Sequence, residues 1–197
     1  MTAMTVMPRA ASEWTVDDLD LLPDDGLQYE LLDGLLLVSP APTRRHQRAA
    51  LRLGSVLIEG CPGDMEVLLA PLDWRPDHRT SLQPDVLVLG NRDLDAPVGD
   101  SMILAVEILS PSTRRKDAVY KRSKYEDSGV AACWIIDPMI PSILALELVD
   151  GHYVTVGEAI GDDAVTLEKP FPVTVVPAAA RRPRASATTT SGPTPAG

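Results

Sequence analysis

The chain has 197 residues, 45% of them apolar, which suits one soluble domain with an ordinary core and short tails. Its net charge of −10 argues at first against nucleic acid as a partner. No apolar run approaches the roughly 20 residues of a membrane helix, so no membrane partner is expected. The N-terminus shows no basic stretch followed by an apolar one, so no secretory signal is expected. Cys61 and Cys133 stand far apart with no metal-like spacing. They read as free thiols of a reducing compartment, which points to the cytoplasm.

In chain order, residues 1–12 show no periodicity and are expected to be mobile. Thr15 caps a short helix, with Asp18 completing a capping-box variant. Tyr29 to Val38 reads as a hairpin turning at Asp33-Gly34. From Thr43 to about Glu59 the period becomes helical, and Cys61-Pro62-Gly63 stops that helix. Glu66 to Leu72 reads as a strand, followed by a polar loop carrying Pro76, Asp77 and His78. Val86 to Leu89 and Met102 to Leu109 are apolar runs expected to be covered on both faces. Ser112 or Thr113 caps a helix running to about Asp127, which Gly129 ends. Cys133 to Asp137 is a further buried strand. Ile143 to Leu148 and His152 to Val156 form a hairpin around Asp150-Gly151. Residues 165–167 and 170–173 close a domain expected to span 13–177. Residues 178–197 are Ala, Arg, Pro, Ser, Thr and Gly, and are expected to form a disordered tail. Strands interleaved with two substantial helices predict an α/β domain with a mixed central sheet.

The chemistry is concentrated in two acids. Asp85 precedes the run Val86-Leu87-Val88-Leu89, and Glu107 lies inside Ile103 to Leu109. A carboxylate in an apolar strand is costly to bury unless something compensates it. A shared divalent cation would do so, and magnesium prefers oxygen ligands. The plainer reading is a strand end paired with arginine. Lys121 shares a helix face with Asp117 and with Lys124 or Tyr125 and can reach the strand ends, although an Asp117–Lys121 surface pair would satisfy the same spacing. Glu30 fits either an acidic site position or ordinary alternation on an exposed strand. His46 could act as a general base or phosphate contact, or simply pack a helix start.

Charge is unevenly distributed. Eight acids fall within the first 33 residues, opposed only by Arg9, while ten of the 18 basic residues lie in 44–52 and 114–124. If both basic segments face one cleft, Arg45, His46, Arg48, Arg114, Arg115 and Lys124 become candidate nucleic-acid contacts. Otherwise they are solvated helix faces.

Several motifs together resemble the Uma2 family of restriction-endonuclease-like proteins. They are Tyr29-Glu30-Leu31-Leu32-Asp33-Gly34, Ser39-Pro40-Ala41-Pro42, Arg45-His46-Gln47, Gln83-Pro84-Asp85-Val86 and Val106 to Thr113. Asp117, Lys121, Tyr125, Gly129-Val130 and Trp134 to Pro138 continue the likeness in order, which covers roughly residues 12–177. The resemblance implies the PD-(D/E)xK nuclease fold: a mixed central sheet flanked by helices, here with additional β-hairpins. It implies magnesium, with manganese as a substitute, held by Asp85 and Glu107 with help from Glu30. Two residues after Glu107, where the simplest motif has lysine, this chain has Leu109. Lys121 on the following helix matches the displaced lysine.

The expected function is metal-assisted hydrolysis of DNA phosphodiester bonds, with Asp85, Glu107, Lys121 and Glu30 as the catalytic set. A homodimer is the expected assembly. The alternatives are a non-catalytic nucleic-acid- or protein-binding module on a nuclease scaffold, an enzyme acting on RNA or a nucleotide, and a structural homodimer without chemistry.

Overall fold

The computed structural model describes residues 13–90, 98–99, 101–110 and 116–180. The N-terminal segment 1–12 expected to be mobile, the Ser112/Thr113 cap, Arg114, Arg115 and the tail from 181 onward therefore lie outside the described residues.

Thr15 opens α1 (Val16–Leu19), and its backbone N–H donates to Asp18 Oδ2 at 2.9 Å. The hairpin of β1 (Leu27–Leu32) and β2 (Leu35–Pro40) turns at Asp33 and Gly34, both at positive φ. That is the backbone an Asp-Gly pair tolerates and most residues resist. Helix α2 (Arg44–Gly60) starts at Thr43, whose hydroxyl accepts from the N–H of His46. It buries Ala49, Ala50, Leu53 and Leu57 along one stripe.

Beyond β3 (Glu66–Leu69) the structure differs from the sequence expectation. The segment read as a polar loop is a second hairpin, β4 (Trp74–Asp77) and β5 (Thr80–Leu82). Its strands are too short for a period to emerge, and Thr80 and Ser81 are polar although fully buried. Strand β5 pairs with β1, giving a four-stranded sheet of order β2-β1-β5-β4.

The main sheet has order β10-β9-β8-β7-β6-β3. It contains β6 (Val86–Leu89), β7 (Met102–Ile108), β8 (Ala132–Asp137), β9 (Ser142–Val149) and β10 (His152–Ile160). Among the described residues only the β7–β8 pair is parallel, and α3 (Lys116–Asp127) makes the crossover between them. Strand β10 runs four residues past the expected end, through an irregularity between Thr155 and Gly157. The small pair β11 (Val165–Leu167) and β12 (Val173–Val175) follows, and a 3-10 turn at Pro177–Ala180 buries Ala178. The described fold thus runs three residues past the expected domain edge.

Both faces of the main sheet are covered, which explains the continuous apolar runs. Val86, Val88, Leu104 and Val106 pack toward α2. Leu87, Leu89 and Ala105 pack on the opposite face with Trp74 and Tyr125. The observed architecture is the expected mixed α/β sheet flanked by helices with extra hairpins.

Candidate active site

The register of β6 on β7 sets Val86 opposite Val106, and Asp85 N–H donates to Val106 C=O at 2.9 Å. One further step along the ladder places Asp85 beside Glu107. Alternation puts both on the face of Leu87 and Ala105, toward α3. The two carboxylates predicted from separate apolar runs are thus neighbours across one pair of strands. Ile108 N–H ties them more closely by donating to Asp85 Oδ2 at 2.7 Å.

Helix α3 supplies two side chains to this face. Lys121 and Tyr125 are four residues apart and share one side of the helix. Tyr125 OH donates to Glu107 Oε1 at 2.6 Å, and Lys121 Nζ lies 3.5 Å from Glu107 Oε2. The same ammonium is 2.7 Å from Glu30 Oε1, which also accepts from Gln83 N–H at 2.7 Å. Glu30, Glu107 and Lys121 are 7%, 8% and 7% exposed, so the charges meet largely out of water. They line a cleft of about 410 Å³ together with Asp85, His46 and Gln83.

The charge balance sets the titration. Three carboxylates face one ammonium. Burial pushes the Glu107 carboxyl up to about 7; Lys121 pulls it down, while Asp85 and Glu30 add to the rise. Burial works against the charge on Lys121, but Glu107 and Glu30 outweigh it and hold its pKa above the ordinary value. The lysine therefore stays charged, and the surplus negative charge is relieved at Glu107. Burial also opposes charging of His46, yet its contact with Asp85 Oδ2 at 3.2 Å raises its pKa on balance. His46 Nδ1 is buried without a hydrogen-bond partner among the described residues.

The remaining candidates fall elsewhere. Arg45 and Arg48 are exposed on α2 and are not among the cleft-lining residues, and the Arg45 guanidinium lies against Met139 Sδ. Lys124 is engaged by Asp33 at 2.6 Å and Asp77 at 2.9 Å, a bridge from α3 to two hairpin turns. That position ties elements together and leaves the ammonium little freedom to reach a phosphate. Tyr125 was not among the candidate site residues, although its spacing from Lys121 was visible. Gln83 likewise carries no signal in the sequence beyond the Gln-Pro-Asp motif. Its side-chain N–H2 donates to Asp73 Oδ1 at 2.9 Å.

Magnesium suits the donors present. Among the described residues, no three His, Cys, Asp or Glu side chains are grouped to hold a metal ion. Magnesium does not require three, because it commonly uses one or two carboxylates and fills its octahedron with waters and substrate phosphates. Asp85 and Glu107 can provide that pair, and a cation there would offset the burial that, together with Asp85 and Glu30, raises the Glu107 pKa.

The Uma2 family profile, described as "Putative restriction endonuclease", matches residues 16–180. A crystal structure from Anabaena variabilis, described as "a putative nuclease belonging to DUF820", is similar at a TM-score of 0.61 and 18% identity. The match covers 78% of this chain and 89% of that one, and at this identity it is a likeness of fold. A comparison with curated proteins finds no match. Among the described residues, no helix is long and apolar enough to cross a membrane. The family profile spans most of the chain, and the chain belongs to the Uma2 family.

Proposed function

We propose that the chain is a magnesium-dependent nuclease that hydrolyses DNA phosphodiester bonds, with manganese able to replace magnesium. One observation carries this reading. Strand β1, the residue entering β6, strand β7 and helix α3 bring Glu30, Asp85, Glu107 and Lys121 to one cleft, where three carboxylates face one ammonium and a divalent cation would neutralise the surplus.

Each residue then has a distinct task. Asp85 and Glu107 would hold the metal. A bound magnesium would neutralise phosphate charge and make water a better nucleophile. Tyr125 and Ile108 N–H fix the two carboxylates before substrate arrives. Lys121, kept charged by Glu107 and Glu30, would stabilise negative charge that develops on the phosphate. Glu30 has Oε1 occupied by Lys121 and Gln83, which favours a positioning role for it over a direct metal contact. Arg45 and Arg48 would contact flanking phosphates, giving binding that weakens as salt rises.

Cleavage assays on plasmid and single-stranded DNA with magnesium, manganese or chelator test the reading. Cleavage that needs the metal and disappears in Lys121→Ala, with calorimetric metal binding retained, is the expected result. Binding of DNA without cleavage under either metal would favour a binding module instead.

A further inference from the structure

The cleft carries a neutral polar pair that the hydrolytic set does not use. Gln28 on β1 and Ser39 on β2 are directly opposed in the hairpin ladder, and Glu30 is opposed to Leu37 two positions away. Alternation puts Gln28 and Ser39 on the same face of the small sheet as Glu30. The intervening Tyr29 turns to the other face, where its hydroxyl donates to Asp25 Oδ2 at 2.8 Å. Both Gln28 and Ser39 are half-buried and line the cleft. Neither side chain has a hydrogen-bond partner among the described residues.

We propose that Gln28 and Ser39 form the base-reading element of this site, hydrogen-bonding the edge of the nucleobase next to the scissile phosphate. This rests on the nuclease reading. Two residues along a strand span about 7 Å. That separation from Glu30 places the pair beside the reacting phosphate rather than on it. Its chemistry also fits a base better than a phosphate. An amide offers both donors and an acceptor, the combination that pairs with adenine N6 and N7, and a hydroxyl serves as either. A second phosphate would gain more from a cation than from two neutral groups, since three carboxylates already share the cleft.

The test uses the whole chain with single-stranded and duplex oligonucleotides randomised around the cut, in magnesium, with the cleaved ends sequenced. Gln28→Met keeps length and removes the amide; Ser39→Ala removes the hydroxyl. The wild type is expected to prefer certain bases at one position beside the cut. Gln28→Met should flatten that preference by about tenfold, and Ser39→Ala should flatten it in part. Calorimetric magnesium binding and Tm should not move. An unchanged base profile in Gln28→Met, or a wild type that cuts without preference, overturns the proposal and leaves the nuclease reading standing. A change confined to the ratio of RNA to DNA cleavage overturns it in favour of a sugar-hydroxyl contact. A wild type that cuts nothing with magnesium or manganese overturns both.

Discussion

Lys121 Nζ lies 2.7 Å from Glu30 Oε1, an ion pair between residues 91 positions apart, with both side chains about 9% exposed. It joins α3 to the β1–β2 hairpin across the cleft. Removing one partner of such a pair strands the other charge out of water. Lys121→Met should therefore cost about 3–5 kcal/mol of stability in urea unfolding near pH 7.5. A loss under about 1 kcal/mol would mean that water or another cation compensates Glu30 and Glu107.

Glu107 predicts a pH signature. Its folded pKa of about 7 lies above its ordinary 4.5, so between those values the folded chain holds a proton that the unfolded chain releases. The group favours the fold fully below about 4.5, and that contribution is lost as pH rises through 7. The shift corresponds to something on the order of 3 kcal/mol. In metal-free protein, the Tm of Glu107→Gln minus that of wild type should grow more positive from pH 5 to pH 8. A difference that is flat or falls with pH would place the titration elsewhere.

Lys124 should behave as a structural bridge. Its ammonium contacts Asp33 and Asp77, and both partners are partly exposed, so the pair is screened. Lys124→Ala should lower stability by about 1 kcal/mol and leave the salt dependence of DNA binding unchanged. A shallower salt slope would return Lys124 to the phosphate contacts.

Arg48, exposed near the start of α2, should behave in the opposite way. Arg48→Ala should leave Tm unchanged and weaken DNA binding alike for all sequences. It should also reduce the slope of log K against log salt by about one. Anisotropy titrations at several salt concentrations, in calcium to hold off cleavage, read this directly.

Much of this was legible in the sequence, for identifiable reasons. Asp85 and Glu107 stood out because a carboxylate in an apolar strand is expensive, and strand alternation then put them on one face. Asp33-Gly34 and Asp150-Gly151 declared their turns because both residues must accept positive φ. The β4–β5 hairpin was hidden because strands of four and three residues carry no readable period, and buried Thr80 and Ser81 look like loop. Lys124 was ambiguous because a basic helix face looks the same whether it meets phosphate or Asp33 and Asp77. Gln28 and Ser39 gave no signal, since only pairing across the hairpin brings them together beside Glu30.

Glu107→Gln is the most direct test of the nuclease reading, because it keeps the shape of the side chain and removes the charge that would hold the metal. Plasmid and single-stranded DNA cleavage should be measured for wild type and variant with magnesium, manganese and chelator. The expected result is cleavage by wild type with either metal, none with chelator, and none by a folded Glu107→Gln under any condition. Cleavage by Glu107→Gln at the wild-type rate would contradict it.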